Sequence, residues 1–192
     1  MNKYIVSSFL AGSVAAMLST SAFSSANDSG TVNFSGKIVA DTCTINVDGS
    51  GTNASTVTFA DTYPSDYVGG DGAIGTSKPF KIEVTGCDPL VANLNLKFSG
   101  TTTDAGYKRL QNDLLGAGDA TNVGITVKND NGAKGDVLFD GSTPDSTTDV
   151  ANNTDGTTAS VFNYTANVIQ VGSTAPTAGK YAASATFEVV YR

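Results

Sequence analysis

Four kinds of short string in this sequence have the residue types of chemical sites. Gly70-Asp71-Gly72-Ala73-Ile74-Gly75 has the G-x-G-x-x-G spacing of a loop that cradles a pyrophosphate. That task needs a strand before the glycines and a helix N-terminus after them. Here Thr76-Ser77-Lys78-Pro79 follows, with proline where the helix must establish itself, so a turn is the better reading. Asp28-Ser29-Gly30 resembles half of a carboxylate pair, but acid–base work needs two such carboxylates together, and no second D-[ST]-G exists. Asp130, Asn131 and Asp136 offer oxygen ligands without the spacing or the closing bidentate glutamate of a calcium loop. Asn53, Asn152 and Asn163 each open an N-x-[ST] sequon, which a chain this rich in Asn, Ser and Thr contains by composition. With no histidine anywhere, imidazole-based triads and His-built zinc sites are excluded. The expectation is therefore no catalytic residue, no cofactor, no metal and no small-molecule substrate.

The remaining reactive groups are Cys43 and Cys87, the only cysteines of the chain. They form one disulfide or none. The first residues decide between these. Met1-Asn2-Lys3 is a positive start, Tyr4 to Leu18 is apolar but diluted with Ser and Gly, and Ser24-Ser25-Ala26 is a small-residue cleavage site, with Ala22 as the alternative. The apolar stretch is too short and broken to span a membrane. An exported chain meets an oxidising compartment, so a Cys43–Cys87 bridge is expected. Closing a loop of that length stabilises a fold by about 4 kcal/mol on the chain-entropy account.

The elements that carry these residues are strands. Tyr181, Ala183, Ala185, Phe187, Val189 and Tyr191 share one parity of the last fourteen residues, Gly179 to Arg192, and Lys180, Ser184, Thr186, Glu188 and Arg192 the other. That is the alternation of a half-buried strand. It recurs in Val32, Phe34, Gly36, Ile38 and Ala40; in Phe80, Ile82 and Val84; in Leu94, Leu96 and Phe98; in Val123, Ile125 and Val127; and in Phe162, Tyr164, Ala166 and Val168. Asp48–Ser55, Gly69–Ser77, Asn129–Gly135 and Asp140–Thr158 read as turns and loops. Tyr107, Leu110 and Leu114 have helical spacing, but Gly116 and Gly118 allow at most one turn. About 166 residues after the leader make one all-β domain, a sandwich at this size.

Net charge is −7, and about −8 once Lys3 leaves with the leader. A chain so acidic is repelled by phosphate backbones, so nucleic acid is not an expected partner.

The two ends carry a resemblance. Gly30-Thr31-Val32-Asn33-Phe34-Ser35-Gly36-Lys37-Ile38-Val39-Ala40-Asp41-Thr42-Cys43 is similar to the opening of pilins of the chaperone–usher pathway. The penultimate aromatic Tyr191 and the glycine fourteenth from the end, Gly179, are similar to their close. Pro79 to Cys87 and Asn122 to Val127 resemble the family's second-cysteine and mid-chain strands, and the likeness is nearest to type 1-like fimbrial shaft subunits.

The resemblance implies an incomplete immunoglobulin-like β-sandwich lacking its last strand, in which the C-terminal strand ends the chain because another protein supplies its neighbour. Strand donation between chaperone and pilin is a known mode of β-strand addition. It further implies a leader at 1–26, a donor segment at 27–40 and a pilin domain at 41–192. Val32, Phe34, Gly36 and Ile38 are the implied donor residues; as an alternative they form an ordinary first strand of their own domain. Gly179, Tyr181, Phe187, Val189, Tyr191 and Arg192 are the implied edge that meets a periplasmic chaperone and then the next subunit, with the Arg192 carboxylate in a basic cleft of the chaperone.

The implied function is a structural subunit of a surface fimbria that supports adhesion. It would cross the periplasm of a Gram-negative bacterium to an outer-membrane usher and polymerise non-covalently, most simply with copies of itself. The alternative is a minor, adaptor or carbohydrate-binding tip subunit of the same organelle. An adhesin with a lectin domain ahead of the pilin domain requires a longer chain.

Overall fold

The computed structural model describes residues 43–192. The segment holding Val32, Phe34, Gly36 and Ile38 and the leader lie outside the described residues. Within them the chain forms nine strands: β1 (Thr44–Val47), β2 (Ile74–Thr85), β3 (Asn93–Gly100), β4 (Leu110–Gln111), β5 (Val123–Asn129), β6 (Gly135–Asp136), β7 (Val150–Ala151), β8 (Ser160–Gln170) and β9 (Ala185–Tyr191). Helical structure among the described residues is limited to two 3-10 turns, Pro64–Asp66 and Ser146–Thr148.

Two sheets face each other. One runs β1-β2-β8-β5-β4, with β6 also on β5; the other runs β7-β3-β9. All the ladders are antiparallel, and their registers put the alternating apolar residues on one face. Ile45 sits opposite Val84, Val47 opposite Ile82, and Phe80 opposite Tyr164 in the first sheet. In the second, Leu94, Leu96 and Phe98 sit opposite Tyr191, Val189 and Phe187. The inward rows meet in one core that includes Ile82, Val84, Leu94, Leu96, Phe162 and Tyr164, each almost wholly buried. Phe98 stands edge-on to Tyr164, and Phe80 stacks on it, both at 5.4 Å between ring centroids.

Cys43 and Cys87 are joined, with 4.5 Å between their Cα atoms. The bridge pins the residue before β1 to the end of β2, beside the ladder that β1 makes with that strand.

Four segments differ from their sequence reading; the first is Asp140–Thr158, read as loop, in which Val150–Ala151 pairs with β3 as strand β7. Strand β2 starts at Ile74, inside the stretch read as a loop, and its register shifts between Ile74 and Thr76. A Cβ on Gly75 at that shift would lie 2.4 Å from Cζ of Tyr67, so this glycine of the G-x-G-x-x-G string makes room for a packed ring. Leu110 belongs to strand β4 rather than to a helical turn, because its side chain fills the core opposite Ile125. The C-terminal strand begins at Ala185. Ahead of it Lys180 bridges Asp119 in parallel, and Ala182 bonds Asn112 and Asp113, so residues 180–184 are held by the region just before β5 instead of by β3.

Candidate functional site

The site follows from an asymmetry between β3 and β9. Both present alternating apolar residues inward, yet those of β3 are buried while Phe187 and Val189 of β9 remain partly open. Strand β3 has partners on both edges, β7 and β9. Strand β9 has one partner, and among the described residues its outer edge pairs with no strand. A row of unpaired N–H and C=O groups backed by apolar side chains is a template for another strand.

Alongside that edge runs a trough of three merging cavities. The first, of about 440 Å³, is bounded by Ile45, Val57, Phe80, Ile82 and Phe187. The second shares Val57, Phe80 and Leu110 with the first and extends past Phe59 and Ala183 to Tyr181. The third continues from Phe59 and Tyr181 to Tyr67 and Gly179. The floor is core: Phe80, Ile82, Leu110, Ile125 and Val127. Burial raises the pKa of the Tyr67 and Tyr181 hydroxyls, so both stay neutral donors at physiological pH, with Asp61 in the same wall.

The opposite rim is residues 53–63, which the sequence reading left without an element. Val57 and Phe59 pack on the core from it. Among the described residues, its backbone from 55 to 61 makes no hydrogen bond to backbone or side chain. Both rims therefore offer unpaired peptide groups to whatever lies between them, and buried peptide groups must find partners.

Each edge residue named from the sequence has a place here. Gly179 and Tyr181 line the far end of the trough, Phe187 its near end, and Val189 points into the core beside Leu96. A Cβ on Gly179 would lie 2.4 Å from the Ala120 nitrogen and 2.5 Å from the Asp119 carbonyl carbon, so this residue answers a close backbone crossing within its own domain. The Tyr191 hydroxyl sits 3.5 Å from Cys43 Sγ, joining the end of β9 to the disulfide. Arg192 is engaged at both ends: its backbone oxygen accepts from Ala92 N and Asn93 N, and its guanidinium binds Asp149 at 2.6 Å and the Pro144 carbonyl.

Sequence reasoning missed what holds that guanidinium. Asp149 also accepts at 2.7 Å from Asn95, a buried asparagine in the middle of β3 whose amide reaches Thr148 Oγ1 and the Asp145 carbonyl as well. Asn95 shares its parity with Asn93, Lys97 and Ser99, the polar side of the β3 alternation, so the pattern carried no signal for its burial. Asn152, first residue of one sequon, gives its amide to the carbonyls of Asp88 and Val91, a structural role.

The fold and the trough define a class: an immunoglobulin-like sandwich whose last strand, among the described residues, is paired on one edge only. The chain belongs to the fimbrial protein family, whose model matches residues 32–192. Long polar fimbria protein A of Salmonella typhimurium is 32% identical over 169 residues, 86% of this chain and 85% of that protein. The fimbrial-like protein SfmA of Escherichia coli K12 is 31% identical over 118 residues, 60% of this chain, and the match spans 61% of SfmA's length. Among solved structures, the P pilus rod subunit PapA superposes with a TM-score of 0.59 at 24% identity, covering 78% of this chain and 99% of PapA, which is a likeness of fold. A structure of a chaperone–usher pilus that addresses rod uncoiling gives 0.58 at 25% identity, covering 86% of this chain and 97% of that one.

Proposed function

We propose that this fimbrial subunit is a repeating shaft unit of a chaperone–usher pilus, built by strand donation along the trough. The observation that carries the reading is the pair of unpaired rims, β9 and residues 55–61, over an apolar floor. The occupant that fits is residues 27–40 of the next subunit. Their alternation presents Val32, Phe34 and Ile38 to the floor, with Gly36 where a side chain would be too large. Burying those three side chains contributes about 5–9 kcal/mol at each joint, with backbone bonds to both rims adding about 0.5–1.5 kcal/mol apiece. Before assembly a periplasmic chaperone covers the same edge, and an outer-membrane usher receives the complex. The likeness to a chaperone–usher pilus structure that addresses rod uncoiling, at 25% identity, supports the shaft reading.

The test is to refold the full chain with a synthetic peptide of residues 27–40. The peptide raises the thermal midpoint in a saturable way, and the same peptide with Phe34→Asp does not. An unchanged midpoint at high peptide concentration refutes strand donation. Counting copies per fibre by quantitative mass spectrometry separates a shaft unit, present in large excess, from a tip or adaptor unit.

A further inference from the structure

A cavity of about 230 Å³ lies apart from the trough, where β3, β5 and β6 meet the loop 137–148; Phe98 is the one wall residue the two have in common. Its walls are largely apolar, from Leu96, Phe98, Val137 and Pro144. The loop side also brings Asp136, Ser142, Thr143, Asp145 and Thr148, while Asn129 and Tyr164 stand directly opposite each other in the β5–β8 register and hence side by side on one face.

Tyr164 is 2% exposed and Asn129 8% exposed. The oxygen of the Asn129 amide accepts from the backbone and side-chain nitrogens of Asn131, both at 2.8 Å. A backbone N–H can only donate, so the orientation of that amide is fixed and its Nδ2 is the atom left over. Among the described residues no group accepts from Asn129 Nδ2, and none bonds the Tyr164 hydroxyl. Burial raises the pKa of that hydroxyl and keeps it a neutral donor. Buried polar groups in folded proteins almost always have partners.

The roof of the cavity is tied from outside. Asn95 holds Asp145 and Thr148, and the Arg192 guanidinium holds the Pro144 carbonyl, so the loop covers the space in a defined position. The charged wall residues, Asp136 and Asp145, are acidic and face Lys108 and Arg192 outside the cavity, so no cation is offered to an anion within it. A dry engineered cavity of about 150 Å³ accepts benzene, so a space of this size takes one ring with a few further heavy atoms.

We propose that this cavity is a binding site for a small uncharged ring compound bearing a carbonyl, whose oxygen accepts from Asn129 Nδ2 and the Tyr164 hydroxyl. The ring lies against Leu96, Phe98 and Val137. The site is independent of strand donation, since the trough is a separate space.

The experiment is a titration of the full chain by protein-observed NMR with benzamide, with benzoate as the anionic isostere and methyl β-glucoside as a polyhydroxylated ring. Benzamide gives saturable shifts at residues of β3, β5 and β8 around the cavity, and the other two do not. Tyr164→Phe, which removes one oxygen and keeps the ring, weakens benzamide about fivefold, the loss of one hydrogen bond. Leu138→Trp, a partly exposed wall position, fills the mouth and weakens it without touching the polar pair. No saturable binding, or equal binding by wild type and Tyr164→Phe, overturns the site. Binding of benzoate or of the glucoside as strong as that of benzamide overturns the ligand class.

Discussion

Gly179→Ala tests whether the glycine ahead of the last strand serves its own domain. The added Cβ would lie 2.4, 2.5 and 2.6 Å from Ala120 N, Asp119 C and Gly118 O, all backbone atoms that no side-chain rotation can move away. Reaching ordinary contact requires the two segments to part by about 1 Å. Several hydrogen bonds span that crossing, the shortest being Ala120 N to Lys180 O and Thr121 N to Thr177 Oγ1, each 2.9 Å long. Losing these two removes about 0.5–1.5 kcal/mol each, and the strain of overpacking adds about 1–3 kcal/mol, for a total of about 2–6 kcal/mol. Gly135→Ala is the control, because a Cβ there meets nothing within 4 Å. It leaves stability within about 0.5 kcal/mol of wild type. Urea unfolding followed by tyrosine fluorescence reads both variants, since the chain has seven tyrosines and no tryptophan. If Gly179→Ala also falls within about 0.5 kcal/mol of wild type, the crossing is loose and the argument from close approach fails.

Replacing both Cys43 and Cys87 by serine lowers unfolding free energy by about 4 kcal/mol on the chain-entropy account, measured by the same urea titration, and dithiothreitol reproduces the loss in the unmutated chain. Asn95→Leu leaves the Asp145 carbonyl, Thr148 and Asp149 short of a donor and lowers stability by about 1–3 kcal/mol; an unchanged denaturation midpoint shows that water replaces the amide. Asp155 accepts from Thr157 and Thr158, and the hydroxyl and backbone bonds from Thr158 and Thr157 lower its pKa from 3.8 to about 2. Its folded-state value is depressed, so its contribution is present above pH 3.8 and is lost as pH falls toward 2. Asp155→Asn therefore flattens the fall of stability across that window, and a slope equal to wild type disproves the linkage.

The alternation of Phe80, Ile82 and Val84, of Leu94, Leu96 and Phe98, and of Phe162 to Val168 located β2, β3 and β8, because strands buried on one face must repeat every second residue. The same rule overextended β9. Tyr181 and Ala183 continue its parity, but Asn112 and Asp113 hold their stretch by bonds that leave no trace in a periodic pattern. The start of β2 was hidden by Gly75, a residue type that marks turns in general and here marks a register shift under the ring of Tyr67. One rim of the trough was legible in Phe187. The other was not, since Val57 and Phe59 lie in a segment with no ladder of its own, and only the tertiary arrangement brings them opposite β9.

The disulfide has a mechanical consequence. A pull that reaches Cys43 from its N-terminal side meets a covalent link that leads directly to Cys87 at the end of β2. The four-residue ladder of β1 against β2 is thus bypassed by the load and cannot be peeled open from its N-terminal end. Force passes instead into the long β2–β8 pairing, whose bonds lie across the strand direction and share a shear load among them. In an oxidised chain, the shortest strand near the point of attachment is shielded from the tension that would otherwise open it first.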